Sequence, residues 1–173
     1  MNKALALLLL MGVFISCTKE PSQLSVASPS GTNSIDFGLS EDGTTYYLVH
    51  HGNETVIDSS SMGFDFQHQK PLKTGLSIVS STENLVNETW EMPWGEQKEV
   101  VNHYNELVVT LEESEAPNRQ FNIYFRVYDD GVGFRYEFLP QEGVDSIIIM
   151  DENTEFQLTE DYTTWWIPGD WDI

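Results

Sequence analysis

The chain has few cysteines and few basic residues, and both shortages exclude classes of protein. It contains one Cys among 173 residues, so neither a disulfide framework nor a cysteine-built zinc site is available. Only 8 residues are Lys or Arg, whereas 28 are Asp or Glu, and the net charge is -20. Nucleic-acid binding and docking on an anionic membrane both need clustered cations. The composition therefore predicts neutral or cationic partners and no nucleic acid.

Several nucleotide-binding and catalytic motifs are also missing. The sequence contains no P-loop, no dinucleotide-binding glycine fingerprint, no HExxH and no Gly-x-Ser-x-Gly elbow. What it does contain is 40% apolar residues and 12% aromatic residues, with five Trp. That content is too high for an acidic disordered tail and suits one globular domain.

The only long apolar run lies at the start of the chain. Lys3 precedes an almost wholly apolar stretch from Ala4 to Ile15, which predicts a secretory signal over residues 1–16. The sequence Phe14-Ile15-Ser16-Cys17 resembles a bacterial lipobox, in which Cys17 becomes the lipidated first residue of the exported protein. An ordinary signal with a chance Cys is the alternative. We expect export, with membrane attachment only through a lipid anchor at Cys17.

The rest of the chain is typical of strands. Residues 17–33 are predicted to form a tether that includes a first strand at Leu24–Ala27, and residues 22–173 one domain. Period-two alternation predicts further strands at 34–39, 45–50, 54–58, 62–66, 75–80, 84–91, 107–111, 121–127, 134–138, 146–150 and 154–158. Asp129-Asp130-Gly131 is predicted to be a hairpin turn in which Asp-Gly supplies a positive φ. The fold class is all-β, an antiparallel sandwich.

Candidate metal ligands are sparse. His50 and His51 are adjacent on a predicted strand, where neighbours point to opposite faces, so one ion would not reach both. The acidic segments Glu41-Asp42-Gly43 and Asp129-Asp130-Gly131 are interpreted as turns, because neither has the ligand spacing of an EF-hand calcium loop. His103 opens a predicted strand within a polar cluster, and a hydrogen-bonded structural role is the simpler interpretation.

Two tryptophan clusters carry the strongest indication of a ligand. Trp90 and Trp94 stand on either side of a Pro-containing turn with carboxylates around them, and three more Trp follow Thr164. Aromatic faces stack on sugar rings while carboxylates bind sugar hydroxyls, so this mixture predicts a carbohydrate site. The alternative is that the Trp side chains fill the core.

Four ordered segments closely resemble the N-terminal domain of glycoside hydrolase family 97. They are Glu88–Glu96, Asn102–Leu107, Phe125–Phe138, and a C-terminal segment with Thr154–Phe156, Tyr162-Thr163 and Trp165–Pro168. The resemblance implies a galactose-mutarotase-like β-super-sandwich, truncated at its C-terminal end. It further implies an exported α-glucosidase or α-galactosidase, typical of polysaccharide utilisation in Bacteroidetes, hence a periplasmic or outer-membrane lipoprotein of a Gram-negative bacterium.

The same resemblance places the chemistry outside this chain. Family members cleave α-linked oligosaccharides with carboxylates of a (β/α)8 barrel and a calcium ion, and no barrel sequence is present here. We therefore assign no catalytic or metal-binding residue and expect no independent hydrolase activity. The candidate sugar contacts are Trp94, Glu96, His103, Trp165, Trp166 and Asp170. A purely structural domain without sugar binding is the main alternative, and an autonomous enzyme is a more distant one.

Overall fold

Buried and partly exposed side chains alternate along the strands, and this alternation is most regular between Gln120 and Tyr128. The computed structural model describes residues 23–141, 146–167 and 169, and within these ranges there are eleven strands and no helix. They are β1 (Gln23–Ala27), β2 (Asn33–Leu39), β3 (Thr45–His51), β4 (Glu54–Ser61), β5 (Phe64–Phe66), β6 (Leu76–Glu91), β7 (Glu99–Glu113), β8 (Gln120–Tyr128), β9 (Gly131–Phe138), β10 (Ile149–Glu152) and β11 (Gln157–Leu158).

The strands form an antiparallel sandwich. One sheet has the order β1-β2-β3-β4-β11, and the opposing sheet has the order β6-β7-β8-β9. A short pair of β5 and β10 completes the arrangement, and all pairings between named strands are antiparallel. The predicted all-β sandwich is therefore confirmed.

The core lies between the two large sheets and is rich in aromatic rings. Phe37 on β2 meets Phe125 on β8 with ring centroids 5.3 Å apart, and Tyr47 on β3 meets Phe134 on β9 at 5.5 Å. Burial raises the pKa of Tyr47 to about 12, and its hydroxyl donates a 2.6 Å hydrogen bond to the carbonyl oxygen of Glu155. The inward faces of both sheets thus supply a continuous apolar layer.

Some predicted strand boundaries are wrong. The segments predicted as separate strands at 75–80 and 84–91 are one strand, β6, with a bulge between Ile78 and Ser80. The strand predicted at 146–150 begins later, at Ile149, and ends at Glu152.

The turn at Asp129-Asp130-Gly131 is present, but its predicted backbone conformation is wrong. Tyr128 pairs with Gly131 across a two-residue connection, as expected for a tight hairpin. However, none of the three residues has a positive φ. The carboxylate of Asp129 instead accepts a 2.9 Å hydrogen bond from the backbone N–H of Ser30, which fixes the turn from the opposing sheet. The hydrogen bonds from Ser30 lower the pKa of this carboxyl group.

Across the described ranges, no helix has the length and apolar character needed to cross a membrane. The predicted signal, tether start and lipidation site at Cys17 lie among residues 1–22, outside the described residues.

Candidate functional site

The first group of predicted sugar contacts lies at the tip of a long hairpin. β7 pairs with β8 only from Asn105 onward, so the first six residues of β7 and their partners on β6 extend beyond β8. The connecting loop carries Trp94, which is 82% exposed, and Glu96, which is also exposed. A hydrogen bond of 2.8 Å from Met92 N–H to the carbonyl oxygen of Lys98 closes this loop. Both candidate side chains are therefore presented to solvent by a defined turn.

His103 lies within a strand instead of opening one, which corrects the predicted position. It is the fifth residue of β7 and pairs with Asn87 of β6. Because neighbouring residues alternate, its side chain lies on the opposite face of the hairpin from Tyr104. Leu85 and Val101, 65% and 66% exposed, share the face of His103.

The second predicted group follows β11, which pairs with β4 in the other sheet. Trp165 is 92% exposed and Trp166 is 77% exposed, so neither fills the core. In the ranges that the structure covers, no hydrogen bond joins these two residues to the hairpin loop. Asp170 lies outside the described residues. The exposed tryptophan candidates are thus carried by two different parts of the chain, the β6–β7 loop and the segment after β11.

A third polar surface, which sequence reasoning missed, covers the outer face of the four-stranded sheet. We define this outer face by the side chains that alternate with the core residues of β7, β8 and β9. They are Asn102, Tyr104, Glu106, Val108 and Thr110 on β7; Asn122, Tyr124, Arg126 and Tyr128 on β8; and Gly131, Gly133, Arg135 and Glu137 on β9. It differs from an ordinary solvated face because most of its charged groups are bound to aromatic or amide partners.

One cluster on the outer face is centred on Arg126. Its Nε donates a 2.7 Å hydrogen bond to Glu106, and its guanidinium carbon lies 4.7 Å from the centroid of the Tyr104 ring. The Tyr104 ring in turn packs against Tyr128, whose hydroxyl donates a 3.1 Å hydrogen bond to Asn102. Tyr104 is only 4% exposed although it lies outside the main core. The cluster therefore joins the hairpin to the sheet.

A second cluster on the outer face is centred on Glu137. Tyr124 donates a 2.6 Å hydrogen bond to its carboxylate, and Asn122 donates one of 3.0 Å. These bonds, that of Tyr124 first, hold the pKa of Glu137 below its usual range. The guanidinium carbon of Arg135 lies 3.6 Å from the centroid of the Tyr124 ring. The aromatic ring is thus held between an acid at its hydroxyl and a cation on its face.

A shallow cavity of about 240 Å³ separates the two clusters, and we call it the trough. Gly133 pairs with Arg126 and carries no side chain, so it forms an open floor. A Cβ built on Gly133 meets no other atom within 4 Å. Tyr124, Arg126, Tyr128, Phe134 and Arg135 form the remaining lining.

The described residues offer no evident metal centre. Among them, no group of three or more His, Cys, Asp or Glu could hold a metal ion. His50 hydrogen-bonds Asp36 through Nε2 at 3.1 Å, whereas His51 contacts Asn33 through Nδ1 at 2.7 Å. The two imidazoles therefore have separate partners.

Comparison with known proteins places the sandwich in context. Residues 26–173 match the family described as Glycosyl-hydrolase 97 N-terminal. A curated relative, a probable retaining alpha-galactosidase of Streptomyces bingchenggensis (strain BCW-1), is 27% identical over 166 residues, which cover 93% of this chain and 25% of that protein.

Solved structures agree with this match. A glycoside hydrolase family 97 enzyme from Pseudoalteromonas sp. strain K8, solved in complexes with panose and with acarbose, superposes with a TM-score of 0.78. It is 35% identical over 84% of this chain. The chain spans 22% of that enzyme and about a quarter of the curated relative.

Proposed function

The chain belongs to the N-terminal domain family of glycosyl-hydrolase 97, and from this premise we propose that it serves as the carbohydrate-associated domain of an α-glycosidase. In this proposal it packs on a (β/α)8 catalytic barrel and completes the sugar pocket of that barrel. The substrate class is an α-linked oligosaccharide. The relatives support this assignment because one is solved with panose and acarbose and another is described as an alpha-galactosidase.

The observation that carries the proposal is the exposure of Trp94, Trp165 and Trp166, between 77% and 92%. Large apolar side chains exposed in groups mark surfaces that contact a ligand or another domain. Tryptophan also provides the flat face on which a sugar ring stacks. Glu96 adds an acceptor for sugar hydroxyls beside Trp94.

The charge of the domain agrees with a neutral ligand. With 28 acidic and 8 basic residues, the long-range field of the chain repels anions. A neutral oligosaccharide is not repelled, and carboxylates are suitable acceptors for its hydroxyls. We also propose that the complete enzyme binds calcium outside this segment. Export through residues 1–16 and anchoring at Cys17, in the periplasm or on the outer membrane of a Gram-negative bacterium, belong to the same proposal.

A chimera tests the proposal directly. Residues 26–173 of this chain replace the matching segment of the Pseudoalteromonas enzyme, and hydrolysis of panose is measured with calcium present. The unsubstituted chimera is expected to hydrolyse panose, whereas the full 173-residue chain alone is expected not to. Trp165→Ala with Trp166→Ala should then lower kcat/KM about tenfold, because loss of a sugar contact weakens transition-state binding by about 1.4 kcal/mol.

Trp90→Ala is the matched control, because Trp90 is only 44% exposed and lies outside the proposed contact set. A purely structural domain, which is the alternative function, predicts a different pattern. In that case the double Trp variant lowers the thermal stability of the chimera and leaves the KM for panose unchanged. Hydrolysis by the isolated chain would instead favour an autonomous enzyme and contradict the proposal.

A further inference from the structure

We propose that the trough on the outer face of the four-stranded sheet is a second carbohydrate site, which binds one pyranose ring of a neutral oligosaccharide. The inference rests on the proposed carbohydrate-associated function but concerns different residues from the exposed tryptophans. The trough residues lie on β8 and β9, whereas Trp94 lies in the β6–β7 loop and Trp165 and Trp166 follow β11.

The shape of the trough is set by Gly133 of β9. Gly133 stands where a larger side chain would otherwise cover Arg126, to which it is paired. It has no positive φ, so backbone conformation does not require glycine at this position. The missing side chain at Gly133 opens the floor, and the resulting 240 Å³ is below the usual range for drug-sized ligands of about 300–1,000 Å³. A single sugar ring is the ligand of matching size.

The walls supply hydrogen-bond donors that the protein does not use. Arg126 bonds Glu106 only through Nε, and within the described part of the chain its two terminal nitrogens have no hydrogen-bond partner. The same holds for all the guanidinium nitrogens of Arg135 across the described residues. Guanidinium groups present several donors in one plane, which suits adjacent hydroxyl oxygens. Tyr128 also lines the trough, and its hydroxyl oxygen remains able to accept a hydrogen bond while its proton is donated to Asn102.

The guanidinium groups of Arg126 and Arg135 are positioned by contacts within the protein before any ligand binds. Arg126 is positioned by Glu106 and the Tyr104 ring, and the guanidinium of Arg135 lies over the Tyr124 ring. Binding would therefore cost less side-chain entropy than it would at freely rotating surface arginines. This fixed arrangement distinguishes the trough from a solvated charged face.

Local charge decides between a neutral and an acidic sugar. The positive charges of Arg126 and Arg135 are matched by the carboxylates of Glu106 and Glu137. Since the clusters have no net positive charge and the whole chain has a charge of -20, an anionic ligand gains little attraction. A neutral ring with several hydroxyls fits both the donors and the acceptors.

The test is calorimetric titration of the full chain with panose, and with glucuronic acid as the acidic sugar, each at up to about 10 mM, where weak single-ring sites are detectable. The unsubstituted chain is expected to bind panose and not glucuronic acid. Gly133→Val adds a side chain to the floor, where an added Cβ meets no other atom within 4 Å, and should weaken panose binding about tenfold. Gly131→Val is the matched control, since Gly131 is on the same strand and face but does not line the trough, and its affinity should change less than about twofold.

Arg135→Gln is the second variant and keeps the assay decisive if Gly133→Val does not fold, as judged by circular dichroism. It removes the donors of one wall and should also weaken panose binding severalfold. Binding that survives both variants but is lost in the Trp165→Ala, Trp166→Ala chain would overturn the trough and leave the proposed domain function standing. Absence of panose binding, or preference for glucuronic acid, also overturns it, while the chimera still decides the domain function independently.

Discussion

Replacing Arg119 by alanine is expected to destabilise the chain by about 3–5 kcal/mol, because the change leaves a buried carboxylate without its partner. Arg119 precedes β8 and is only 1% exposed. Its Nε donates to Glu113 at 2.7 Å, and one terminal nitrogen donates to the second carboxylate oxygen at 2.6 Å. The side chain also donates to the carbonyl oxygen of Lys70 at 2.8 Å and lies over the Phe66 ring. Urea unfolding followed by circular dichroism measures the change.

A double variant separates the cost of breaking this pair from its net value. Arg119→Met with Glu113→Gln removes both charges while keeping most of the side-chain volume. It should be markedly more stable than Arg119→Ala, since replacing both partners of a buried pair is often nearly neutral. If Arg119→Ala costs under about 1 kcal/mol, the pair would behave as an exposed surface ion pair, and our interpretation would be wrong.

The pH dependence of unfolding gives an independent measurement on the same pair. Burial alone would raise the pKa of Glu113, but the hydrogen bonds and charge of Arg119 outweigh burial and lower the pKa below its ordinary value of 4.5. A lowered folded-state pKa means that the pair stabilises the fold above about pH 4.5 and that this stabilisation is lost on acidification. In Arg119→Ala the side-chain hydrogen bonds and the charge of Arg119 are lost, whereas burial, the backbone N–H of residue 119 and the charge of Lys70 remain. The stabilisation that is lost on acidification should therefore be smaller than in the unsubstituted chain.

Alternation of apolar and polar residues predicted the strands that have one buried face and missed a strand segment that is exposed on both faces. The β8–β9 hairpin was predictable because Phe121, Ile123 and Phe125 alternate strictly with polar residues, and one face is buried. The polar residues 80–83 of β6 show no such alternation because that part of the hairpin is exposed on both faces. Its strand conformation comes from pairing with β7, which local sequence does not reveal. This is why one strand was predicted as two.

The candidate sites also differ in how far they could be predicted from the sequence. The exposure of Trp94, Trp165 and Trp166 could be anticipated, because tryptophans crowded into short polar segments do not all pack inward. The trough was not anticipated, because it is made by pairing Gly133 with Arg126 across two strands. One indication was available in the sequence: the residues alternating with the β8 core are Tyr124, Arg126 and Tyr128, which are large and aromatic or cationic. An ordinary solvated face is richer in small or flexible polar residues.

Replacing Phe125 by alanine is the second change with a large expected effect, a loss of about 3–5 kcal/mol. Phe125 is fully buried at the centre of β8, and its ring centroid lies 5.3 Å from that of Phe37 in the opposing sheet and 6.1 Å from that of Phe134. Its removal leaves a cavity between the two sheets that the surrounding strands fill only in part. Denaturant unfolding of the full chain at neutral pH measures the loss.

Phe125→Leu and Val108→Ala serve as graded controls for that prediction. Leucine restores most of the buried volume and should cost about 1–2 kcal/mol, whereas Val108 lies on the outer face and its truncation should cost under about 1 kcal/mol. Equal losses from Phe125→Ala and Val108→Ala would contradict the assignment of inner and outer faces.

Because Tyr124 and Arg126 flank Phe125 and line the trough, the leucine variant also tests whether panose binding is independent of core packing. Panose affinity should remain within about twofold of the unsubstituted chain while the fold is intact, since the side chain of Phe125 lies on the inner face of β8 and those of Tyr124 and Arg126 lie on the outer face.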